Sequence, residues 1–168
     1  MTAQTPIKAY RRKLDLKNGR VDLSHGSGGR AMADLIAGIF REAFANPLLD
    51  QGNDQAVFPT PAGRRVEGAT RRHVVSPLVF PGRATIPAAV HGTVNDVAMA
   101  GARPLYLSAS FIIEEGFSFA DLKRIADSMG AAAREAGVAI VTGDTKVVER
   151  GKADQMFVTT SGIGRIEA

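Results

Sequence analysis

The run Pro104 to Ile113 (PLYLSASFII) restricts most tightly what this chain can become. It is long, apolar and rich in residues that fit a pleated surface, with only partial alternation, so it is predicted to be a strand in the middle of a sheet. Just after it, Ser118 followed by Asp121 resembles a capping box with aspartate in place of glutamate. Leu122, Ile125, Ala126, Met129 and Ala133 then recur at helical spacing up to a stop at Gly137. Val138 to Thr142 reads as a short buried strand, Gly143 to Asp154 as a polar loop, and Gln155 to Ile163 as a final strand.

The first half is less regular. Met1 to Leu23 is charged and has little periodicity beyond a strand-like piece around Lys13 to Leu16, so residues 1–23 are expected to form a basic mobile arm, with residues 24–168 as the domain. Met32, Leu35, Ile36, Ile39, Phe40 and Phe44 fall at helical spacing and present one apolar stripe, which Asn46 and Pro47 end. Ala56 to Ala69 suggests a strand, a turn and a second strand, and His73 to Phe80 continues the sheet up to Pro81 and Gly82. Ile86 to Ala100, small and apolar, reads as a tightly packed helix. Strands and helices mix without clean βαβ alternation, so the predicted fold class is α+β, a mixed β-sheet flanked by helices. A long apolar strand such as Pro104 to Ile113 left at an open edge would invite aggregation, so homodimerisation is expected.

Composition removes several function classes. With no cysteine among the 168 residues, the chain has no disulfide, no thiolate zinc ligand and no thiol nucleophile. No apolar run approaches the ~18 residues of a membrane span, so a cytoplasmic, non-membrane protein is expected. The net charge of +4 hints at an anionic partner. The arginines at 64, 65, 71, 72 and 83 lack the interleaved aromatics of a nucleic-acid platform, so no nucleic acid is expected.

Four polar clusters interrupt the core pattern. The stretch HGSGGR, His25 to Arg30, sets three glycines and a serine before a helix. Such a loop can turn backbone N–H groups toward a phosphate, and a plain glycine turn with a serine cap has the same composition. It is neither a Walker loop nor a dinucleotide fingerprint. Asn53-Asp54, Asn95-Asp96 and Gly143-Asp144 place hard oxygen ligands beside small residues, which suits a magnesium ion shared with substrate phosphates and equally suits local caps and turns.

Longer strings carry a resemblance. HGSGGR, VVSPLVFPG (Val74 to Gly82), GTVNDVAMAGARPLYLS (Gly92 to Ser108), FIIEEG (Phe111 to Gly116), REAGVAIVTGDTKVVERGKAD (Arg134 to Asp154) and TTSGIG (Thr159 to Gly164) closely resemble the N-terminal half of the HypE family of hydrogenase expression/formation proteins. That family is similar to aminoimidazole ribonucleotide synthase, selenophosphate synthetase and thiamin-monophosphate kinase. The resemblance implies a PurM-like N-terminal domain whose sheet pairs across a homodimer into a β-barrel, with magnesium–ATP bound at its edge. It implies ATP-dependent dehydration of a cysteine-borne carboxamide to thiocyanate, the cyanide source for nickel–iron hydrogenase, with the carbamoyltransferase HypF and the HypC–HypD complex as partners. His25, Gly26, Ser27, Gly28, Gly29 and Lys146 would hold the nucleotide, and Asp54, Asn95, Asp96 and Asp144 the metal. Glu114 and Glu115 match the motif but receive no role beyond a polar strand end.

Three departures matter. The family continues into a second domain of comparable size that ends in the substrate-carrying cysteine, a half these 168 residues do not contain. Where the family reads Thr-Thr-Asp-Ser before VVSP, this chain has Ala69, Thr70, Arg71 and Arg72. Two like charges ~4 Å apart repel by about 4 kcal/mol at an effective dielectric near 20, so an inward Arg71 would weaken magnesium and could clamp phosphate itself. Asn53-Asp54 replaces an Asp-Asp pair, Arg83-Ala84 a Gly-Asp pair, and Pro87 stands where a basic residue is common. Weakened or lost magnesium–ATP turnover is therefore expected, and the alternative is a catalytically inactive dimerisation or assembly scaffold.

Overall fold

A computed structural model describes residues 14–51, 66–74 and 87–166. Its strands are β1 (Val66–Val74), β2 (Ala102–Glu114), β3 (Ala139–Val148) and β4 (Met156–Ile166), which form one mixed sheet in the order β1-β4-β2-β3. The PLYLSASFII strand is central, antiparallel to β4 on one side and parallel to β3 on the other, so it is not an open edge. Among the described strands the edges are β1 and β3. Alternation is fuller than the sequence suggests: Leu107, Ala109, Phe111 and Ile113 are buried, while Ser108 and Ser110 face the other way and Ile112 is exposed.

The helices lie over that buried face. α1 (Gly29–Leu35) runs through a π-helical turn (Ile36–Phe40) into the short α2 (Arg41–Ala43). The turn is closed by Arg41 N–H donating to the Ile36 carbonyl five residues back, and the extra residue per turn rotates Ile36 to the surface while Leu35, Ile39, Phe40 and Phe44 stay buried. Phe40 stacks on Phe111 of β2 with ring centroids 4.6 Å apart. Asn46 then turns the chain: its side-chain amide donates to the carbonyls of Phe44 and Ile140, and its oxygen accepts from the amides of Leu48 and Leu49.

α3 (Pro87–Met99) packs on β4, β1 and β2, and α4 (Phe119–Glu135) follows β2 and returns the chain to β3. Ser118 caps α4 by accepting from Asp121 N–H, and Gly137, at φ +69°, ends it. β2–α4–β3 is thus a single βαβ unit with a parallel pair, inside an otherwise antiparallel sheet.

Two expectations are corrected. Gly143 to Val148, expected as the first part of a polar loop, is the second half of β3. Pairing with Ser110 to Glu114 overrides the turn-like Gly-Asp-Thr-Lys sequence, and Thr145 and Val147 are buried. The arm is also shorter than expected on its core side. Val21 is 1% exposed, its N–H donates to the Phe117 carbonyl and its own carbonyl accepts from Gly116, while Leu14 and Leu16 lie against the core. The strands expected within residues 56–65 and beyond Val74 lie outside the described residues. Among the described residues no helix is long and apolar enough to cross a membrane.

Candidate functional site

The glycine-rich stretch begins as a folded corner. Asp22 caps the 3-10 turn Leu23–Gly26: its carboxylate accepts from Ser24 N–H at 2.8 Å and from the Ser24 hydroxyl at 2.5 Å. The Ser24 hydroxyl is the main reason that the Asp22 carboxyl is held below the ordinary carboxylate range; burial opposes it, and the Ser24 amide and His25 add to it. His25 completes the box. Its backbone N–H donates to the Asp22 carbonyl, and its Nδ1 accepts from the Asp22 N–H at 3.1 Å, which places the neutral ring's proton on Nε2. The same Nδ1 also lies 3.0 Å from Asp22 Oδ1. His25 is 8% exposed, and its ring meets the Phe119 ring edge-on, with centroids 5.2 Å apart.

Beyond this corner the loop presses against β3. A Cβ at Gly26 would sit 2.4 Å from the Val147 backbone nitrogen, so only glycine allows this approach. Gly28 and Gly29 follow with φ +82° and +79° in open space, exposing backbone amides at the start of α1. Ser27, also exposed, turns its hydroxyl back to the Ser24 carbonyl at 3.3 Å.

Lys146 precedes Val147 on β3, so the glycine loop and this lysine are brought to one end of the parallel pair β2–β3, the end where the strands' carboxyl termini lie. Asp144 and Lys146 alternate with the buried Thr145 and Val147 and therefore face the side of the sheet on which none of the described helices lies; Asp144 Oδ1 accepts from Thr145 N–H at 2.8 Å. Asn95 and Asp96, exposed and half-buried, lie on α3 of the covered side, so one copy of the fold does not gather them with Asp144. Asp54 lies outside the described residues, and so does the Arg71 side chain, whose backbone stands opposite Thr160 in the β1–β4 register. Among the described residues, no three histidine, cysteine, aspartate or glutamate side chains form a group that could hold a metal ion.

The sequence reading missed Asp22. The signal was available: an aspartate two residues before a serine and three before a histidine, at the entrance of a glycine run.

Residues 52–166 match the AIR synthase related protein, N-terminal domain. The chain belongs to that family. Within it, this AIR-synthase-related domain is 70% identical over 158 residues to carbamoyl dehydratase HypE of Bradyrhizobium diazoefficiens, a match that covers 94% of this chain and 45% of that protein. It aligns with a crystal structure of hydrogenase maturation protein HypE in complex with ATP at a TM-score of 0.83 and 52% identity, covering 87% of this chain and 43% of that one. A crystal structure of a HypE–HypF complex aligns at 0.60 and 49% identity, covering 80% and 43%. The chain is thus a homologue of HypE proteins and spans less than half of their length.

Proposed function

We propose that this chain is the ATP-binding part of a HypE-like carbamoyl dehydratase acting in nickel–iron hydrogenase maturation. One observation carries the reading: the open Gly28–Gly29 turn is anchored, through Gly26 on Val147, at the carboxyl end of β3, one residue from Lys146, whose side chain leaves the opposite face of that strand. Exposed amides suit the phosphates of a nucleotide, and a flexible cation at the same strand end can reach their charge round the end of β3. The loop His25 to Gly29 covers the phosphates and Lys146 neutralises their charge. When bound, ATP supplies the phosphoryl group that makes the oxygen of a cysteine-borne carboxamide a leaving group, so that thiocyanate results. That cysteine belongs to a part of the enzyme outside these 168 residues.

Asp54, Asn95, Asp96 and Asp144 are the magnesium ligands in this reading, directly or through water. Asp96 belongs to α3, which covers one side of the sheet, and Asp144 faces the other side, so in this reading a second copy brings the two together on one metal. The open face supports such a pairing: Ile112 is 43% exposed there, and Tyr106, Phe157 and Ile163 are only half-buried. A second copy laid on it would close the two sheets into a barrel. Light scattering that finds a persistent monomer would count against the pairing. The similarity to a HypE–HypF complex supports HypF as a partner, and the HypC–HypD complex and a cytoplasmic site of action complete the proposal.

Calorimetric titration with ATP, with and without magnesium, tests the function. Metal-dependent binding supports the enzyme, with Arg71→Asp tightening it. Metal-independent binding supports phosphate clamping by Arg71. No binding leaves the assembly scaffold as the function.

A further inference from the structure

Glu114, the last residue of β2, carries an interaction that its motif does not disclose. β3 and β4 lie on opposite sides of β2, so the chain from Glu149 to Gln155 must cross over the end of β2 to join them. The Glu114 carboxylate meets that crossover with both oxygens: Oε1 accepts from Gly151 N–H and Oε2 from Gln155 N–H at 3.2 Å. The Glu114 backbone N–H donates in turn to the Gln155 carbonyl at 2.9 Å. Gln155 is held from both sides at φ +64°, a left-handed conformation that a non-glycine residue keeps only when its surroundings enforce it.

The same strand end reaches the glycine loop. Directly after Glu114, Gly116 N–H donates to the Val21 carbonyl at 2.7 Å, Val21 N–H donates to the Phe117 carbonyl at 2.8 Å, and the Arg20 guanidinium donates to the Gly116 carbonyl at 2.8 Å. Val21 leads straight into the Asp22–His25 corner. On the other side, Glu115 N–H donates to the Val148 carbonyl, one residue after the Val147 backbone on which Gly26 rests. One turn therefore fixes both walls of the candidate site, the strand that enters the loop and the strand end beneath it.

We infer that Glu114 is a positioning residue of the nucleotide site: its carboxylate locks the crossover and so sets the Asp22–Gly29 loop against β3. The inference rests on the nucleotide reading for its consequence in binding, and on the hydrogen bonds alone for the coupling. Hydrogen exchange of the nucleotide-free protein, followed by ATP titration, tests Glu114→Ala and Glu114→Gln. A charge-assisted bond lost at a carboxylate predicts that Glu114→Ala speeds exchange at Gly151 and Gln155 by about tenfold or more. Exchange at Ser24 and His25 should rise with it, and ATP affinity should fall about tenfold. Glu114→Gln, which keeps one acceptor, should recover most of each loss.

A variant whose crossover amides are freed while Ser24, His25 and ATP affinity stay at wild-type values overturns the coupling, as does glutamine behaving like alanine. If Glu114→Ala does not fold, Glu114→Gln decides alone: intermediate exchange at all four amides supports the inference, and wild-type exchange at Ser24 and His25 overturns it. A wild-type protein that fails to bind ATP removes the nucleotide reading, and the exchange data still settle the coupling.

Discussion

On the helix-covered side of the sheet, Thr160 is fully buried; its hydroxyl donates to the Ala89 carbonyl at 3.1 Å and accepts from the Thr93 hydroxyl at 2.7 Å. On the open side, Thr70 and Ser161 share a hydroxyl bond of much the same length, 2.9 Å, within reach of water. The bonds are alike and their consequences are not. If the buried one is removed, a carbonyl and a hydroxyl lose their partner with no water to replace it. At the exposed one, water substitutes at little cost. The covered face therefore holds the fold, and the open face carries Asp144, Lys146 and the exposed Ile112.

The largest expected effect breaks the covered face where it is apolar. Leu122 on α4 is 0% exposed, and Leu122→Ala should cost about 2–5 kcal/mol, read as a lower urea midpoint with an unchanged slope. Next comes the polar contrast itself. Thr160→Val should cost about 1–3 kcal/mol while Thr70→Val changes stability by less than about 0.5 kcal/mol. Equal costs at the two positions would remove the distinction between the faces. A third substitution probes the open side alone: Ile112→Lys should leave the unfolding midpoint of the monomer within about 0.5 kcal/mol of wild type and abolish dimers in light scattering.

The same contrast explains what was legible in the sequence. α4 is readable because burial on one side imprints a period on local sequence, as in Leu122, Ile125, Ala126 and Met129, whereas β2 shows in its long apolar, β-favouring run and α3 in its small apolar composition. The π-helical turn left no such mark: the apolar spacing from Leu35 to Phe44 suits an ordinary helix, and the added residue is seen only where Ile36 rotates outward. Gly143 to Val148 reads as a turn because its outward residues are glycine, aspartate and lysine. Its strand state is imposed by pairing with β2, some thirty residues earlier in the chain. Of the candidate site, the glycine loop and Lys146 were identifiable by residue type. The role of Glu114 was not, since its partners lie 37 and 41 residues away and are backbone amides, which have no letter of their own.

The smallest expected effect lies where the chain passes from the covered layer to the glycine loop. Asp22 has its carboxyl pulled down chiefly by the Ser24 hydroxyl, so the folded state favours the carboxylate more than the unfolded chain does. A lowered folded-state value means that the stabilisation is fully present above the ordinary carboxylate range. It is lost as the pH falls through the lowered value, where the folded protein too becomes protonated. With 56% of the Asp22 side chain exposed, solvent screening holds the contribution below about 1 kcal/mol. Asp22→Asn should therefore melt slightly below wild type at neutral pH, and the two melting curves should converge in acid. A gap that stays constant down to the acid limit would mean that the corner is held by the shape of the Asp22–His25 box and not by its charge.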